Sequence, residues 1–323
     1  MSELNDYLRR VAGEIANQDS DSSTVFTARE LKNFPGIRLA RNLDGVAVLI
    51  PGSTVRAPLE LEHLRARFSA NCQVNVDGSI REETLTVVQY IGHNPQLEGL
   101  FLDALSLLLA RKSSPSADSV AAFVSGLCEL LEPSDVVGEG VLIGLWGELF
   151  VISQSSDPGA AIAAWHRNPA EKFDFAFGNE RVEVKTTIGR RVHDFSLTQI
   201  RPLVPLNVTV FSIQTSRGVG PSIRELTEQI LEDAPTVEAS DNVLTTVLKT
   251  LGGGDRFALD QKYDGIMASH TMRILSGESI PAFESVPAEI SNVRLTIDLS
   301  NLEIDGLPRR ESGLVKSLAP NTI

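Results

Sequence analysis

Residues 173–187 constrain the fold of this chain most strongly, because apolar and charged side chains alternate along them with a period of two. Phenylalanines occupy alternate positions before Gly178-Asn179, and valines occupy alternate positions after it. Such alternation predicts a half-buried β-strand, and glycine and asparagine tolerate the positive φ of a tight turn. The stretch therefore predicts two short antiparallel strands joined by a turn.

The alternation also predicts how the two strands pair. The phenylalanines are odd-numbered, whereas Val182 and Val184 are even-numbered, so both sets share a face only if the loop holds an even number of residues. This register places Asp174, Glu183 and Lys185 together on the opposite face, and a slip of one residue would bury the charges instead. We therefore expect two carboxylates and one ammonium to converge on a patch backed by aromatic side chains.

This charged patch has two interpretations. Paired carboxylates bind a hard divalent cation such as Mg²⁺, which polarises a phosphoryl oxygen and lowers the pKa of a bound water. A lysine on the same face can then hold the attacking water or stabilise negative charge on the phosphate. The alternative is a surface hairpin with a Glu183–Lys185 ion pair, which contributes less than about 1 kcal/mol. The aromatic backing and the aligned Asp174 favour the functional interpretation.

Asp174 followed by Glu183-Val184-Lys185 resembles the core of the PD-(D/E)XK nuclease superfamily, to which many restriction endonucleases belong. The upstream motif Gly144-Leu145-Trp146-Gly147-Glu148-Leu149 and the later Trp165 are similar to a family of bacterial proteins grouped only as PD-(D/E)XK members. In that family a Gly-x-x-Gly-Glu-Leu helix precedes a tryptophan, an Asp-Phe strand and a Glu-Val-Lys-Thr-Thr strand. The resemblance is strong over residues 140–230 and holds in outline over the flanks.

The resemblance implies a metal-dependent endonuclease that hydrolyses DNA phosphodiester bonds. Asp174 and Glu183 would bind Mg²⁺ or Mn²⁺, and Lys185 would orient the water or help to deprotonate it. Glu148 would be a further metal ligand or would position one, although an exposed glutamate on an amphipathic helix is the alternative. One departure is Pro169, which lies five residues before Asp174 instead of beside it, a proline that the superfamily often loses.

The resemblance and the local charge also suggest residues that contact DNA. In the superfamily, a glutamine on a helix after the acidic-x-Lys strand often touches DNA or the active site, and Gln199 matches it loosely. Basic residues flank the site on an otherwise acidic chain and suit phosphate contacts, with a solvated loop as the alternative; they are Arg181, Arg190, Arg191 and Arg201. His193 would support the ligands or contact a phosphate, with an ordinary surface histidine as the alternative.

The net charge of −13 over 323 residues argues against a protein that coats nucleic acid through its overall field. It leaves room for a local basic groove. It slightly favours the alternative function, a non-catalytic DNA-binding or assembly subunit that keeps the nuclease fold. Because one active site cuts one strand, cleavage of a duplex would imply a homodimer or repeated action.

The resemblance also implies a setting in bacterial restriction or phage defence, beside a helicase-like ATPase or a methyltransferase. Cys72 and Cys128 lack metal-ligand spacing, which predicts a reduced, cytoplasmic location. The start of the chain lacks the basic and apolar regions of a signal peptide, and no apolar run reaches the length of a membrane span. We therefore expect no membrane partner.

The fold class predicted is α/β, with a restriction-endonuclease-like mixed sheet flanked by helices as the resemblance implies. Three regions are expected: a β-rich N-terminal domain at 1–95, the nuclease-like core with its preceding helices at 96–235, and a C-terminal α+β extension at 236–323 packed on the core. Apolar periodicity predicts helices over 3–17, 59–68, 97–109, 118–131, 141–153, 223–231 and 240–251, the last of which ends at three glycines, 252–254.

Overall fold

The structure is a computed structural model. It describes residues 3–17, 22–52, 56–110, 115, 117–131, 138–166, 172–251, 259–283, 286–287, 289–290, 292–302 and 313–320. Pro169 and the three glycines at 252–254 lie outside the described residues.

Helices and strands alternate in groups along the chain. In chain order they are α1 (Glu3–Ala16), β1 (Val25–Glu30), β2 (Arg38–Asn42), β3 (Gly45–Pro51), β4 (Leu59–Glu60), β5 (Leu64–Val76), β6 (Ser79–Tyr90), α2 (Pro95–Leu109), α3 (Ala117–Leu131), α4 (Glu139–Gln154), α5 (Pro158–Ala164), β7 (Phe175–Phe177), β8 (Glu180–Ile188), β9 (Val192–Ser196), α6 (Leu197–Ile200), β10 (Asn207–Thr215), β11 (Arg217–Ser222), α7 (Ile223–Asp233), α8 (Val237–Leu251), β12 (Lys262–Tyr263), α9 (Gly265–Thr271), β13 (Arg273–Ser276), β14 (Arg294–Asp298) and α10 (Leu314–Leu318).

The chain divides into two units, each made of two segments: Met1–Val137 with Ser240–Ala258, and Gly138–Ala239 with Leu259–Ile323. These units group the chain differently from the regions 1–95, 96–235 and 236–323. The three regions stay a prediction about separately folding domains.

The first unit contains a six-stranded sheet with the order β1-β2-β3-β6-β5-β4. A further parallel pairing of β1 with β5 brings Phe26 beside Val74 and closes the sheet on itself. The closure surrounds a core of small and medium apolar side chains: Phe26, Ala28, Ala40, Ala47, Leu49, Val74, Leu85 and Val87. The β-rich texture predicted for this part of the chain is therefore present.

The helix predicted over 59–68 is wrong, since this segment forms β4 and the start of β5. Leu64 and Ala66 are buried, whereas Arg65 and Arg67 both pair with Glu60. The segment thus alternates with a period of two. Leucines at helical spacing favoured the helix prediction, although buried and charged side chains also alternate here. Pairing with the long strand β6 stabilises the strand instead.

The second unit is built on a four-stranded mixed sheet with the order β13-β10-β8-β7. β8 runs parallel to β10, while β7 and β13 are antiparallel to their neighbours. Two smaller pairs, β11–β12 and β14–β9, lie beside it in the same unit. This is the α/β class that the sequence predicted, with a mixed sheet flanked by helices.

Strand β8 lies inside the second unit, and both of its faces are covered. On one face helix α4 packs so closely that a Cβ added to Gly147 would lie 1.8 Å from Thr186 Oγ1. On the other face lies an apolar cluster that includes Phe173, Phe195 and Val210. The half-buried strand predicted from the alternation is therefore wrong, because the charged face of β8 is also covered.

Other predicted helices form close to their expected bounds. Ser222 begins α7 with a capping box, in which its hydroxyl accepts from the Glu225 N–H and the Glu225 carboxylate accepts from the Ser222 N–H. Cys72 and Cys128 are free thiols. Among the helices that the structure describes, none combines the length and the apolar character needed to cross a membrane.

Candidate metal centre

The hairpin of β7 and β8 has the register that the sequence predicted. Phe175 lies opposite Val182 and Phe177 opposite Glu180, so the loop is the two residues Gly178-Asn179. The same register continued by one step aligns Asp174 with Glu183. An even loop therefore places the acidic residues on one face, as the alternation of side chains required.

Glu183 is the most buried carboxylate of the site, with only 3% of its surface exposed. Its Oε1 accepts hydrogen bonds from Lys185 Nζ at 2.7 Å and from Gln199 Nε2 at 2.6 Å. Its Oε2 is buried and has no hydrogen-bond partner among the described residues. A buried carboxylate oxygen without a donor is costly, so this atom is available for a cation.

Asp174 lies directly before β7, and backbone N–H groups hold both its side chain and its carbonyl oxygen. Its Oδ2 accepts from the Val184 N–H at 2.6 Å, and its carbonyl accepts from the His166 N–H at 2.9 Å. Trp165 forms an isolated antiparallel bridge with Phe175. The edge of the sheet thus continues past β7, and residues 165–166 are placed beside the acidic pair.

Glu148 reaches the site from α4. Its Oε2 accepts from Trp165 Nε1 at 2.8 Å and lies 2.8 Å from His166 Nε2. The preceding Gly147 explains part of the Gly-x-x-Gly-Glu-Leu motif, because a side chain there would collide with Thr186 and push the helix off β8. The close approach of α4 to the sheet is what carries Glu148 to the hairpin.

Two carboxylates and one imidazole lie close together beside the hairpin. One side-chain atom from each of Glu148, His166 and Asp174 lies within 4.8 Å of the other two, a spacing that could hold a metal ion. Two carboxylates suit Mg²⁺ or Mn²⁺, and the unpaired Oε2 of Glu183 adds a third oxygen nearby. The donor set therefore fits the divalent cation that the sequence implied.

The electrostatics of the site favour a cation as well. Burial, followed by the charges of Glu183 and Glu148, raises the pKa of Asp174 well above its ordinary value. Burial also raises the pKa of Glu183 to about 6, against the opposing effect of Lys185. Burial works against the charged form of His166, but the hydrogen bond and charge of Glu148 outweigh it and raise the pKa of His166. Crowded carboxylates of this kind are stabilised by added positive charge.

Gln199 lies at the site, where it holds a carboxylate. Its Nε2 donates to Glu183 and also to the Lys172 carbonyl at 3.1 Å, while its Oε1 accepts from the Ser196 N–H at the start of α6. The glutamine thus fixes the rotamer of Glu183, and its contact with DNA stays a prediction.

The residues predicted to contact DNA differ in exposure: one lies at the surface and two are buried. Arg190 is exposed and pairs with Asp298. Arg191 is 2% exposed, and His193 is 5% exposed with Nε2 hydrogen-bonded to Ser212 Oγ. Neither of these two buried side chains presents its charge or ring nitrogens at the surface, so they are not placed to contact phosphate.

The two other arginines near the site bind carbonyl oxygens of their own surroundings. Arg181 donates to the Gly178 and Glu180 carbonyls. Arg201 donates to carbonyls of the 277–280 turn. The arginines that flank the motif in sequence thus stabilise loops.

Sequence reasoning missed His166 and treated Trp165 only as a core residue. Trp165 is fully buried, as expected, but its indole N–H also holds Glu148. His166 has a φ of 41°, an uncommon conformation for a residue other than glycine. The adjacent Trp165-His166 pair shortly before the Asp-Phe strand was the available signal in the sequence.

Residues 15–300 match the protein family described as "Putative PD-(D/E)XK family member, (DUF4420)". The chain belongs to this family. The match covers most of the chain and includes every residue of the site, so the resemblance seen over 140–230 extends across both flanks. No curated protein matches the chain, and no solved structure matches it either.

Proposed function

We propose that this protein is a metal-dependent endonuclease that hydrolyses DNA phosphodiester bonds in the cytoplasm, as part of a bacterial restriction or phage-defence system. The observation that supports it best is the grouping of Glu148, His166 and Asp174 within 4.8 Å, next to a Glu183 that pairs with Lys185 and keeps one buried oxygen with no donor among the described residues. A buried carboxylate oxygen without a donor is an atom that a divalent cation can use as a ligand. Membership of the PD-(D/E)XK family supports the same activity.

Asp174, Glu148 and Glu183 would hold the cation, with His166 as a nitrogen donor beside them. When bound, Mg²⁺ or Mn²⁺ would supply Lewis-acid charge to a phosphate oxygen and acidity to a water. The surrounding groups keep the ligands in place. Trp165 and His166 hold Glu148, and Gln199 holds Glu183.

Lys185 would orient the attacking water and stabilise negative charge on the phosphate. Its ammonium lies 2.7 Å from Glu183 Oε1 and 5.4 Å from the centre of the Phe195 ring. The lysine therefore contributes positive charge beside the acidic ligands.

The second candidate is a non-catalytic DNA-binding or assembly subunit of such a system, and the net charge of −13 favours it. An acidic protein needs either a local basic surface or a partner to grip DNA. A helicase-like ATPase or a methyltransferase is the kind of partner we propose, and a second copy of this chain would provide the second cut of a duplex.

The test is cleavage of supercoiled plasmid and of single-stranded DNA with Mg²⁺ or Mn²⁺. Lys185→Ala and Asp174→Ala should lose activity while their circular dichroism and thermal midpoints stay near those of the wild type. Lys262→Ala is a matched control, because Lys262 pairs with Glu225 away from the site. Its activity should equal that of the wild type.

Activity that persists in both site variants would contradict the assignment. An inactive wild type that still binds Mn²⁺ in a Glu183-dependent manner would keep the site and indicate a missing partner. An inactive wild type without such binding would favour the non-catalytic subunit. Isothermal titration of Mn²⁺ into wild type and Glu183→Gln distinguishes these two results.

A further inference from the structure

A cleft of about 960 Å³ opens beside the candidate metal centre within the second unit. Lys185 and Gln199 border it on the side of the metal centre, and Phe195 and Ser196 of β9 form part of its wall. Lys172 and Arg294 also line it. We call this feature the lysine cleft, after Lys172 and Lys185. Its volume lies within the range of ~300–1,000 Å³ typical of specific ligand sites.

The lysine cleft is positively charged on a strongly acidic chain. Its described lining carries Lys172, Lys185 and Arg294 against one acid, Asp194, while the whole chain carries −13. Lys185 pairs with Glu183, which leaves Lys172 and Arg294 against Asp194 in the described lining. Local concentration of positive charge is what a polyanion requires.

Among the arginines of this unit that the structure describes, Arg294 is distinguished by its lack of a partner. It is exposed, and no acceptor for its guanidinium occurs in the described part of the chain. By contrast, Arg190 pairs with Asp298, and Arg191 is surrounded by acceptors. The Arg294 guanidinium is therefore available to bind a phosphate at this site.

The backbone around Arg294 is held firmly. In the antiparallel pair of β14 with β9, Arg294 lies opposite Ser196 and Leu295 lies opposite Phe195. Leu295 and Ile297 pack on the apolar cluster that contains Phe195. A segment about a hundred residues after the Glu-Val-Lys strand is thus brought to the lysine cleft, and the backbone at Arg294 has a fixed position.

The chemistry of the lining indicates what part of a nucleic acid would bind. The charged groups suit phosphates. Phe195, the aromatic residue of the described lining, is only 1% exposed, so it offers no ring face for a base to stack upon. The lysine cleft therefore fits a backbone better than it fits bases.

We propose that the lysine cleft binds the phosphodiester backbone of one DNA strand, with Lys172 and Arg294 contacting phosphates that flank the bond presented to Lys185. The inference rests on the proposed function and adds to it the path of the substrate. It also assigns a role to the β14 segment of the C-terminal region. Contacts of this kind set affinity and register without selecting a sequence.

The test measures fluorescence anisotropy of a mixed-sequence, single-stranded oligonucleotide in Ca²⁺, with the full chain, over a range of salt concentrations. Arg294→Ala should weaken binding about fivefold to tenfold and reduce the salt slope by about 0.7, the value for one phosphate contact on a single strand. Lys172→Ala should behave similarly. Asp194→Asn should tighten binding, and it keeps an acceptor for Thr296 Oγ1.

Arg81→Ala is the matched control, because Arg81 is an exposed strand arginine of the first unit and its loss changes the net charge equally. If Arg294→Ala behaves like Arg81→Ala, or if the wild type does not bind the strand, the lysine cleft is not the path of the DNA. Plasmid cleavage reports separately on the proposed function. Cleavage without an Arg294 effect would overturn only this inference, and an Arg294-dependent complex without cleavage would overturn only the nuclease.

Discussion

Two buried polar clusters of the second unit invite comparison. The carboxylate cluster consists of Glu148, Asp174 and Glu183, the last of which pairs with Lys185. The arginine cluster consists of Arg191 and His193 with their acceptors on β10 and α9. Both contain charged or titratable side chains on or next to strands β8 and β9, and both looked functional from the sequence.

The two clusters differ in the kind of group that each leaves without a hydrogen-bond partner among the described residues. The Arg191 guanidinium donates to the Ser212 carbonyl and hydroxyl, to Gln214 Oε1 at 2.9 Å and to the Thr271 carbonyl. Glu183, by contrast, leaves one buried oxygen without a donor among the described residues and has a raised pKa. Arg191 Nε is also buried without a hydrogen-bond partner among the described residues, but an N–H group cannot bind a cation, whereas a carboxylate oxygen can.

The largest expected effect is on catalysis. Glu183→Gln keeps the size of the side chain but removes the charge that would hold the cation, so Mn²⁺-dependent cleavage should fall at least about 10²-fold. Plasmid nicking measures it. The corresponding change in the other cluster, His193→Gln, should leave cleavage within about threefold of wild type at pH 8, where His193 is already neutral because its pKa is lowered to about 4. Equal losses in the two variants would remove the distinction between the clusters.

The next effect is on stability. Arg191→Ala would leave the carbonyls of Ser212 and Thr271 and the amide of Gln214 without their donor, at about 1–3 kcal/mol for each buried group. We expect the free energy of unfolding to fall by about 3 kcal/mol, measured by urea denaturation. Arg190→Ala, next to it but exposed, should change it by less than about 0.5 kcal/mol. A small loss for Arg191→Ala would mean that this cluster is not structural.

His193 should make the fold sensitive to acid. Burial, then the charges of Arg191 and Lys185, lowers the pKa of His193 from 6.5 to about 4. The unfolded state therefore binds the proton first, and stability should fall as the pH decreases from 6.5 towards 4, by up to about 3 kcal/mol. Urea denaturation gives the difference in unfolding free energy between wild type and His193→Gln, which should change between pH 6.5 and 4 and become independent of pH above 7. A constant difference across this range would contradict the assignment.

In metal-free protein, Glu183 should make stability depend on pH in the opposite direction from His193, and to a smaller extent. Its pKa is raised from 4.5 to about 6, so the folded state holds its proton longer. Stability should therefore fall as the pH rises from 4.5 through 6, by about 2 kcal/mol at 1.36 kcal/mol per pKa unit. Glu183→Gln with EDTA removes this dependence. Mn²⁺ should restore stability to the wild type above pH 6 and not to the variant, and an equal rise in both would place the cation elsewhere.

Much of the carboxylate cluster was predictable because its rules are local. The parity of the phenylalanines and valines determined the loop length and the register, since a β-strand alternates its side chains along the backbone. The helix carrying Glu148 followed from apolar periodicity. These patterns need no knowledge of distant residues.

The burial of Arg191 and His193 could not be predicted from local patterns. Nothing within a few residues distinguishes Arg191 from the exposed Arg190, and the acceptors that bury Arg191 lie 21 to 80 residues further along the chain. The same limit applies to the alternation of β8. It shows that the two faces differ in polarity, but only the packing of α4 and the Phe195 cluster decided that both are covered.

The sequence by itself determined the family, the α/β class and the alignment of Asp174, Glu183 and Lys185 on one face. Each follows from spacing along the chain, where backbone geometry alone relates neighbouring residues. Tertiary structure decided the rest: it joined His166 to Glu148, placed Arg294 opposite Ser196, and buried the arginine cluster. These contacts depend on which distant strands and helices pack together, because burial and hydrogen bonding are properties of the neighbours that packing supplies.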